Sequence, residues 1–571
     1  MNCTNRLERI KIEWIAILIL IFAVFLLFFK LGDRPLWSSD EGRYAEIPRE
    51  MVESGDYITP HLNYVKYFEK PVLSYWLTAA SYNLFGENEF AARFPVALCG
   101  FLTILMVYLF GRVVFDSRTS TLSIFILTAT TGFFLVSRYL IIDGPFTFFN
   151  TASLCLFWIA NIRNKGSIFL LSYACMALAV LTKGLIGLVL PGLIIGSYIL
   201  VARDFSLIKR SRILWGILVF LIVSVPWFLA VSLKNPEFFD FFFIHEHFQR
   251  FLTKSAGRHG SIFYFVIIGA MFFFPWTSFV PCALRKCFSK GNTMERNSFI
   301  FLNLWWIVVL VFFSFSQSKL PPYIIPIVPP LALVVGNVWK EFIWDGQWKK
   351  YIQFGLYFTL VGFVLIAISS ITVLGVNYSK DIEARTILPY VIPIGIMFII
   401  ASGYLAWFLR SFMSAGNEVK RKIHCLIAIA VPVLIGYIFV IGAMEKLSLT
   451  QSRYSFIEEI KKNMDDTTDV AVFDGYEKYS DVGFNLKKRI ILVGDIVGEL
   501  RFGKAIGDNQ DYFISLEEFK NICNSNRRVY CLIKKDKYGE LLENKVEGLT
   551  LLKETPEIYL FINEGSKTLR K

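Results

Sequence analysis

Two acids carry the first chemical signal in this chain. Asp40 and Glu41 sit in Trp37-Ser-Ser-Asp40-Glu41-Gly-Arg43-Tyr44, with Arg43 three residues after Asp40. On a helix that spacing puts acid and cation on one face. An acid here can cap the helix that begins nearby, or it can be a carboxylate held at a lipid–water boundary beside a cation. Asp143 is a lone acid in Arg138-Tyr139-Leu-Ile-Ile-Asp143-Gly-Pro145, within largely apolar sequence. A charge at mid-membrane costs about 2.5–3.5 kcal/mol and less near the interface, so such residues are usually functional or paired. A pair with Arg138 and a helix cap are the structural alternatives.

Cations and hydroxyls recur in further blocks. Lys70 follows Tyr67-Phe68-Glu69, Arg250 follows His245-Glu246-His247, and Lys319 opens Lys319-Leu-Pro-Pro-Tyr323. The two prolines fix the chain ahead of Tyr323 and present its hydroxyl at an interface. Each cation alone also reads as a snorkelling anchor. Together with Arg43 they supply the charge and donors that hold a lipid phosphate. Glu69 with His245 and His247 offers imidazole and carboxylate, a set that suits zinc or a similar divalent ion. His-X-His without a third ligand is common by chance, so spacing leaves metal binding open.

The elements that must position these blocks are membrane helices. The 571-residue chain is 55% hydrophobic and 16% aromatic, with a mean hydropathy of +0.52. Charged residues are 18%, against about 25% in an average soluble domain. That excludes an ordinary soluble enzyme and a disordered chain. About thirteen apolar windows of membrane-crossing length run from 12–30 to 423–443, including 119–137, 184–202 and 261–282. Lys183-Gly184 with Gly187 marks a break between two of them. The first span, with no small-residue cleavage site after it, reads as an uncut anchor.

Lys and Arg fall in alternate short loops, around Arg112/Arg118, Arg163/Lys165, Arg203–Arg212, Arg285–Arg296, Lys340–Lys350 and Arg410–Lys422. With the basic residues before the first span, this predicts a cytoplasmic N-terminus. An odd number of spans then puts the chain from about 444 outside, in the periplasm of a Gram-negative host. Residues 444–571 hold 21 bases and 22 acids, so the formal excess of +13 belongs to the membrane part. The expected division is therefore a transmembrane domain, 1–443 including outer loop 31–93, and a soluble domain, 444–571.

The C-terminal domain reads as small and α/β. Helix-like stretches at Tyr454–Met464 and Ser515–Cys523 alternate with strand-like runs at Val470–Phe473, Arg489–Val493, Val529–Ile533 and Ile558–Ile562. In the outer loop, 41–54 can form an amphipathic helix with Pro48 in or near its first turns. Of the nine cysteines, only Cys523 and Cys531 make a plausible disulfide.

These blocks, in this order, resemble a family. Trp37…Asp40-Glu41-Gly-Arg43-Tyr44-Ala-Glu46-Ile-Pro-Arg49-Glu-Met51, Tyr67-Phe-Glu69-Lys70-Pro71…Tyr75-Trp76, Arg138…Asp143-Gly-Pro145, His245-Glu-His-Phe-Gln-Arg250 and Ser318-Lys319-Leu-Pro-Pro-Tyr323 are similar to blocks of the aminoarabinose transferases. These are GT-C membrane glycosyltransferases related to the protein O-mannosyltransferases. The resemblance covers at least residues 14–340. It implies a monomeric GT-C enzyme of the bacterial inner membrane. Such an enzyme moves 4-amino-4-deoxy-L-arabinose, with inversion, from undecaprenyl phosphate to a lipid A phosphate, a modification linked to polymyxin resistance.

Carried over residue by residue, the resemblance makes Asp40 and Asp143 catalytic. Arg43, Tyr67, Lys70, Arg250 and Tyr323 would hold the donor phosphate. Glu69 and His245 would match the divalent-metal position, zinc in kind, and Glu41, His247 and Lys319 are secondary candidates. A sibling using another sugar or acceptor, such as a hexose or a protein hydroxyl, stays open. A transporter or flippase is the alternative of another class; it calls for repeat symmetry and broken helices near mid-membrane, and the polar blocks instead gather at one membrane face.

Overall fold

The computed structural model describes residues 3–563 apart from 38, 250–259, 289–292, 376–381, 413–418, 452, 474, 495–497, 507–509, 544, 545 and 547. The chain forms two compact units, one of residues 1–31 with 94–444 and one of residues 32–93 with 445–571. Of loop 31–93, expected with the transmembrane domain, residues 32–93 group with the C-terminal segment, and Leu31 stays in the first unit.

The first unit is helical. Among the described residues, ten helices are long and apolar enough to cross a bilayer, from Ile10–Phe28 to Val419–Leu449. The other three of the thirteen windows are also helical but not straight spans. Window 119–137 divides into Ser117–Thr128 and Thr131–Val136. Window 184–202 gives Ile186–Ala202, only 17 residues long. Window 261–282 is a pair, Tyr264–Phe272 and Thr277–Lys286, bent by 110°, which raises the count to eleven if taken as one span. Pro275 lies in that break and lacks the amide donor a continuous helix needs. Apolar composition records burial in lipid; it does not record helix continuity. The break at Lys183-Gly184 is present, with Gly184 at φ 83° ending helix Gly166–Lys183.

Polar contacts within this unit group the loops as their charges predict. Glu341 pairs with Lys286 and accepts a 2.7 Å bond from the Trp348 indole N–H. Lys422 donates to the Phe342 carbonyl at 2.9 Å, and Arg118 lies 4.7 Å from the Trp344 ring centroid. Four basic loops thus meet at one end of span Pro321–Asp345. Its other end carries Tyr323, beside Lys183 and Asp143.

In the second unit, a short hairpin pairs β1 (His61–Leu62) with β2 (Val65–Lys66). The larger sheet contains β3 (Asp469–Val472), β4 (Ile491–Val493), β5 (Phe513–Ile514), β6 (Val529–Lys534), β7 (Leu549–Glu554) and β8 (Ile558–Asn563), in the order β5-β4-β3-β6-β8-β7. The first four are parallel, and β8 and β7 join as an antiparallel hairpin. Apolar β6 is buried over Val529–Ile533, as a central strand covered on both faces must be. All four expected strands are present. β5 is two residues long and β7 is a half-exposed edge, so neither has the apolar run that marks a strand. Helix Leu516–Cys523 starts in a capping box of Ser515 with Glu518. Cys523 and Cys531 are free thiols buried in the sheet core.

The expected helix of the outer loop runs Asp40–Ser54, with Pro48 in its middle. It is not an exposed amphipathic surface helix: Glu41 through Met51 are all buried. Its charges are instead paired within the protein, by Arg34 and Arg93 from outside the helix and by Arg49 within it. Glu41 accepts two bonds from Arg34, at 2.6 and 2.7 Å, and two from Arg93, both 2.9 Å. Burial would raise the Glu41 carboxyl, but the two guanidinium groups outweigh it and hold the acid far below the usual carboxylate range. One turn on, Arg49 grips Glu46 through two 2.7 Å bonds and Glu53 through another. Glu50 lies beside Glu46 and accepts from the Tyr64 amide at 2.9 Å. Burial, then the Glu46 charge, pushes the Glu50 carboxyl well above its usual 4.5.

Two outcomes follow for stability. Removing one partner of a fully buried ion pair costs about 3–5 kcal/mol, so Arg93→Ala should be destabilised by that order in thermal or chaotrope melts; a change under about 1 kcal/mol would show the cluster to be structurally idle. Glu50 binds its proton more tightly folded than unfolded. Its contribution is thus full below about pH 4.5 and is lost as pH rises through the higher native value. Glu50→Gln should therefore lose less melting temperature than wild type as pH is raised from 5 to 9, and parallel profiles would refute the raised carboxyl.

Candidate functional site

Each unit carries one polar cluster built from the blocks singled out above. In the first unit, Asp143 is the opening residue of helix Asp143–Arg163, and Lys183 is the last residue of Gly166–Lys183. Their side chains pair, and both are about nine-tenths buried. The Lys183 ammonium also lies 4.3 Å from the Tyr323 ring centroid and 5.3 Å from that of Phe146. Tyr323 is placed by the 3-10 turn Pro321–Ile327 that its prolines begin, and its ring packs 5.5 Å from Phe313. An acid, an ammonium and a phenol from three separate helix ends therefore converge. Helix N-terminal amides add a further preference for negative charge at Asp143.

The flanking cations have structural work. Arg138, one expected partner of Asp143, donates to the carbonyls of Leu26, Leu27 and Phe29 at 2.7–2.8 Å. It thereby covers the carbonyl end of helix Cys3–Phe28, where a cation suits the helix dipole. Lys319 donates to the Ser314 carbonyl at 2.7 Å, at the end of helix Thr293–Phe315. The sequence made Lys183 only a helix break. A lone lysine closing an apolar run was the available signal.

In the second unit, Asp40 begins helix Asp40–Ser54 and keeps 51% of its side chain exposed, so it is open to a substrate. It accepts a 2.6 Å bond from Arg43, which is buried, pairs also with Glu499, and lies 4.7 Å from the Tyr44 ring centroid. Burial would lower the Arg43 guanidinium, but Tyr67, Tyr44 and Asp40 keep it firmly charged. The hydroxyls of Tyr67 and Tyr75 are buried and lack hydrogen-bond partners among the described residues, as does Arg43 Nε. Burial raises both phenols well above 10, so they remain donors. A buried cation with two unsatisfied donors suits an anion.

Tyr75 and Glu499 join this cluster without having been singled out for it; Tyr75 stood in a quoted block, and Glu499 had no local signal. Glu41, by contrast, is fully enclosed by Arg34 and Arg93 and has no face for a substrate.

Glu69 interacts electrostatically with Arg43, Tyr67 and Tyr75, and the Lys70 ammonium donates to the Glu69 carbonyl at 2.9 Å. Among the described residues no group of three or more His, Cys, Asp or Glu is arranged to hold a metal ion. Glu69 supplies a carboxylate of the kind a divalent ion takes, beside the Arg43 guanidinium. The side chains of His245 and His247, and all of Arg250, lie outside the described residues.

Comparison with known proteins places this geometry in a family. Residues 69–229 match the family model described as dolichyl-phosphate-mannose-protein mannosyltransferase. The undecaprenyl phosphate-α-4-amino-4-deoxy-L-arabinose arabinosyl transferase of Yersinia enterocolitica is 29% identical over 535 residues, covering 90% of this chain and 91% of the relative. The Aeromonas hydrophila enzyme of the same name is 30% identical over 412 residues, 70% of this chain and 72% of that one. The crystal structure of ArnT from Cupriavidus metallidurans bound to undecaprenyl phosphate matches with a TM-score of 0.85 at 27% identity, over 97% of this chain and 98% of that one. Full-length agreement in sequence and fold settles the matter: this chain belongs to the undecaprenyl phosphate-α-4-amino-4-deoxy-L-arabinose arabinosyl transferase family of membrane glycosyltransferases.

Proposed function

We propose that this protein transfers 4-amino-4-deoxy-L-arabinose from undecaprenyl phosphate to a phosphate of lipid A. The observation that carries the reading is Arg43 with the Tyr67 and Tyr75 hydroxyls, which have no hydrogen-bond partner among the described residues, in a chain that aligns over 97% of its length with a structure bound to undecaprenyl phosphate. The bond that breaks joins the sugar C1 to the donor phosphate oxygen, and its electrons leave on undecaprenyl phosphate. The resemblance assigns Arg43, Tyr67, Lys70, Arg250 and Tyr323 to stabilising that developing charge. The acceptor phosphate oxygen attacks C1 from the opposite face, which inverts it.

Asp40 and Asp143 are assigned to the sugar, where a carboxylate stabilises an oxocarbenium-like centre. A phosphate acceptor is largely ionised at neutral pH, so these acids have no obligatory proton to remove. Lys183 is a positioning residue that holds the Asp143 carboxylate. The basic loops support a cytoplasmic N-terminus. With that orientation, the cluster of Asp143, Lys183 and Tyr323 lies at the outer face of the inner membrane. A divalent metal, zinc by the resemblance, is proposed for Glu69 with His245, and no step is routed through it.

The family-model match to a mannosyltransferase favours a second reading, a hexose or a protein hydroxyl acceptor. Mass spectrometry of lipid A from cells with and without this protein separates the two. A protein-dependent aminoarabinose mass increment supports the first, and unchanged lipid A with a glycosylated protein supports the second.

Asp40→Asn and Asp143→Asn should each slow transfer by roughly 10²–10³-fold, the range for losing one preorganised group that stabilises developing charge, with expression and melting temperature preserved. Near-normal turnover in either variant removes that residue from the chemistry. Lys183→Met should also lose transfer, and Lys183→Arg should restore much of it; equal loss in both would deny the positioning role. Elemental analysis of purified wild type should find metal that Glu69→Gln and His245→Ala lack, whereas empty protein in all three would remove the metal assignment.

A further inference from the structure

A cavity of about 460 Å³ opens among helices Asp143–Arg163, Gly166–Lys183, Ile186–Ala202 and Ile213–Lys234, lined almost wholly by carbon. Gly192 and Gly196, one turn apart on Ile186–Ala202, both face open space: a methyl group added at either would meet nothing within 4 Å. Gly403 and Gly436 of this unit are equally open, but neither lines this cavity, and other glycines of the unit are packed. An added Cβ at Gly187, Gly216 or Gly336 would approach a neighbour to 2.2–2.4 Å, so those positions permit close helix packing. Gly192 and Gly196 instead leave a hollow, and an empty apolar hollow forfeits the dispersion contacts of its walls.

The segment that closes this hollow is strongly basic. The short helix Ser206–Arg210 lends Leu207 and Ile208 to the lining, and Arg203, Lys209, Arg210 and Arg212 on the same segment are exposed. Asp204 is its lone acid and pairs with Arg210 at 2.5 Å. Exposed Phe205, Leu214 and Trp215 flank the bases, the composition of a lipid headgroup boundary. An apolar slot with a cationic rim complements one kind of molecule.

We propose that this cavity is a binding site for an anionic glycerophospholipid, with an acyl chain against Gly192 and Gly196 and the phosphate on Lys209, Arg210 and Arg212. The proposal is independent of the sugar-transfer reading, since none of these residues belongs to either polar cluster.

The test reconstitutes the full chain in nanodiscs of equal phosphatidylglycerol and phosphatidylcholine, releases it, and counts retained lipid by native mass spectrometry. Wild type should keep phosphatidylglycerol preferentially. Each cation near a lipid surface is worth about fivefold in binding, so Lys209→Gln with Arg210→Gln and Arg212→Gln should lower retention on the order of a hundredfold. Gly192→Leu with Gly196→Leu should abolish it by filling the slot, while the milder Gly192→Ala should retain lipid and shows that the helix tolerates substitution. Three results overturn the site: equal retention of both lipids, unchanged retention after the slot is filled, or displacement of phosphatidylglycerol by added undecaprenyl phosphate. Unchanged retention in the triple glutamine variant overturns it as well, and would leave the bases only as an orientation signal.

Discussion

Glu41 holds the outer loop in register. Arg34 stands at the beginning of segment 32–93 and Arg93 at its end, and both guanidinium groups close on this one carboxylate. Arg93 adds bonds to the Arg34 and Pro35 carbonyls at 2.9 and 3.0 Å. Three charges are removed from water here, and they persist because every carboxylate oxygen and most guanidinium donors are satisfied. Asp40 precedes Glu41 by one residue and Arg43 follows it by two. The most deeply buried acid of the block therefore positions its most accessible acid.

The same division of labour recurs through the molecule. Arg138 and Lys319 complete helix ends, while Lys183 reaches the acid that opens the preceding helix. Arg49 ties Glu46 and Glu53 of its own helix to Tyr64 in the turn of the short hairpin. A cation in a membrane protein thus has three distinct uses: orienting the chain, finishing a helix, or holding an anion. Identical residue types serve all three, and only their neighbours separate them.

Much of the fold was legible because its determinants are local. Apolar windows marked all thirteen helical regions, and β-branched runs marked the four central strands. Helix continuity was not legible, because hydropathy reads identically in Ile186–Ala202 and in the pair bent by 110°. The two short or half-exposed strands were missed for lack of an apolar run. Residues 41–54 were correctly helical, yet their charges suggested a solvated face. Buried charge pairs look like surface charge until the partners, here Arg34 and Arg93, are brought in from outside the helix.

By itself the sequence determined the membrane character, the grouping of basic loops, the α/β terminal domain and the blocks that place the chain in its family. These depend on composition and on spacings of a few residues, which a linear chain displays directly. Only the tertiary structure decided that Lys183 partners Asp143 across forty residues, that Glu41 is sealed while Asp40 is open, and that Glu499 reaches Arg43 from more than four hundred residues away. Those are choices among many equivalent charges, and three-dimensional packing alone selects which of them meet.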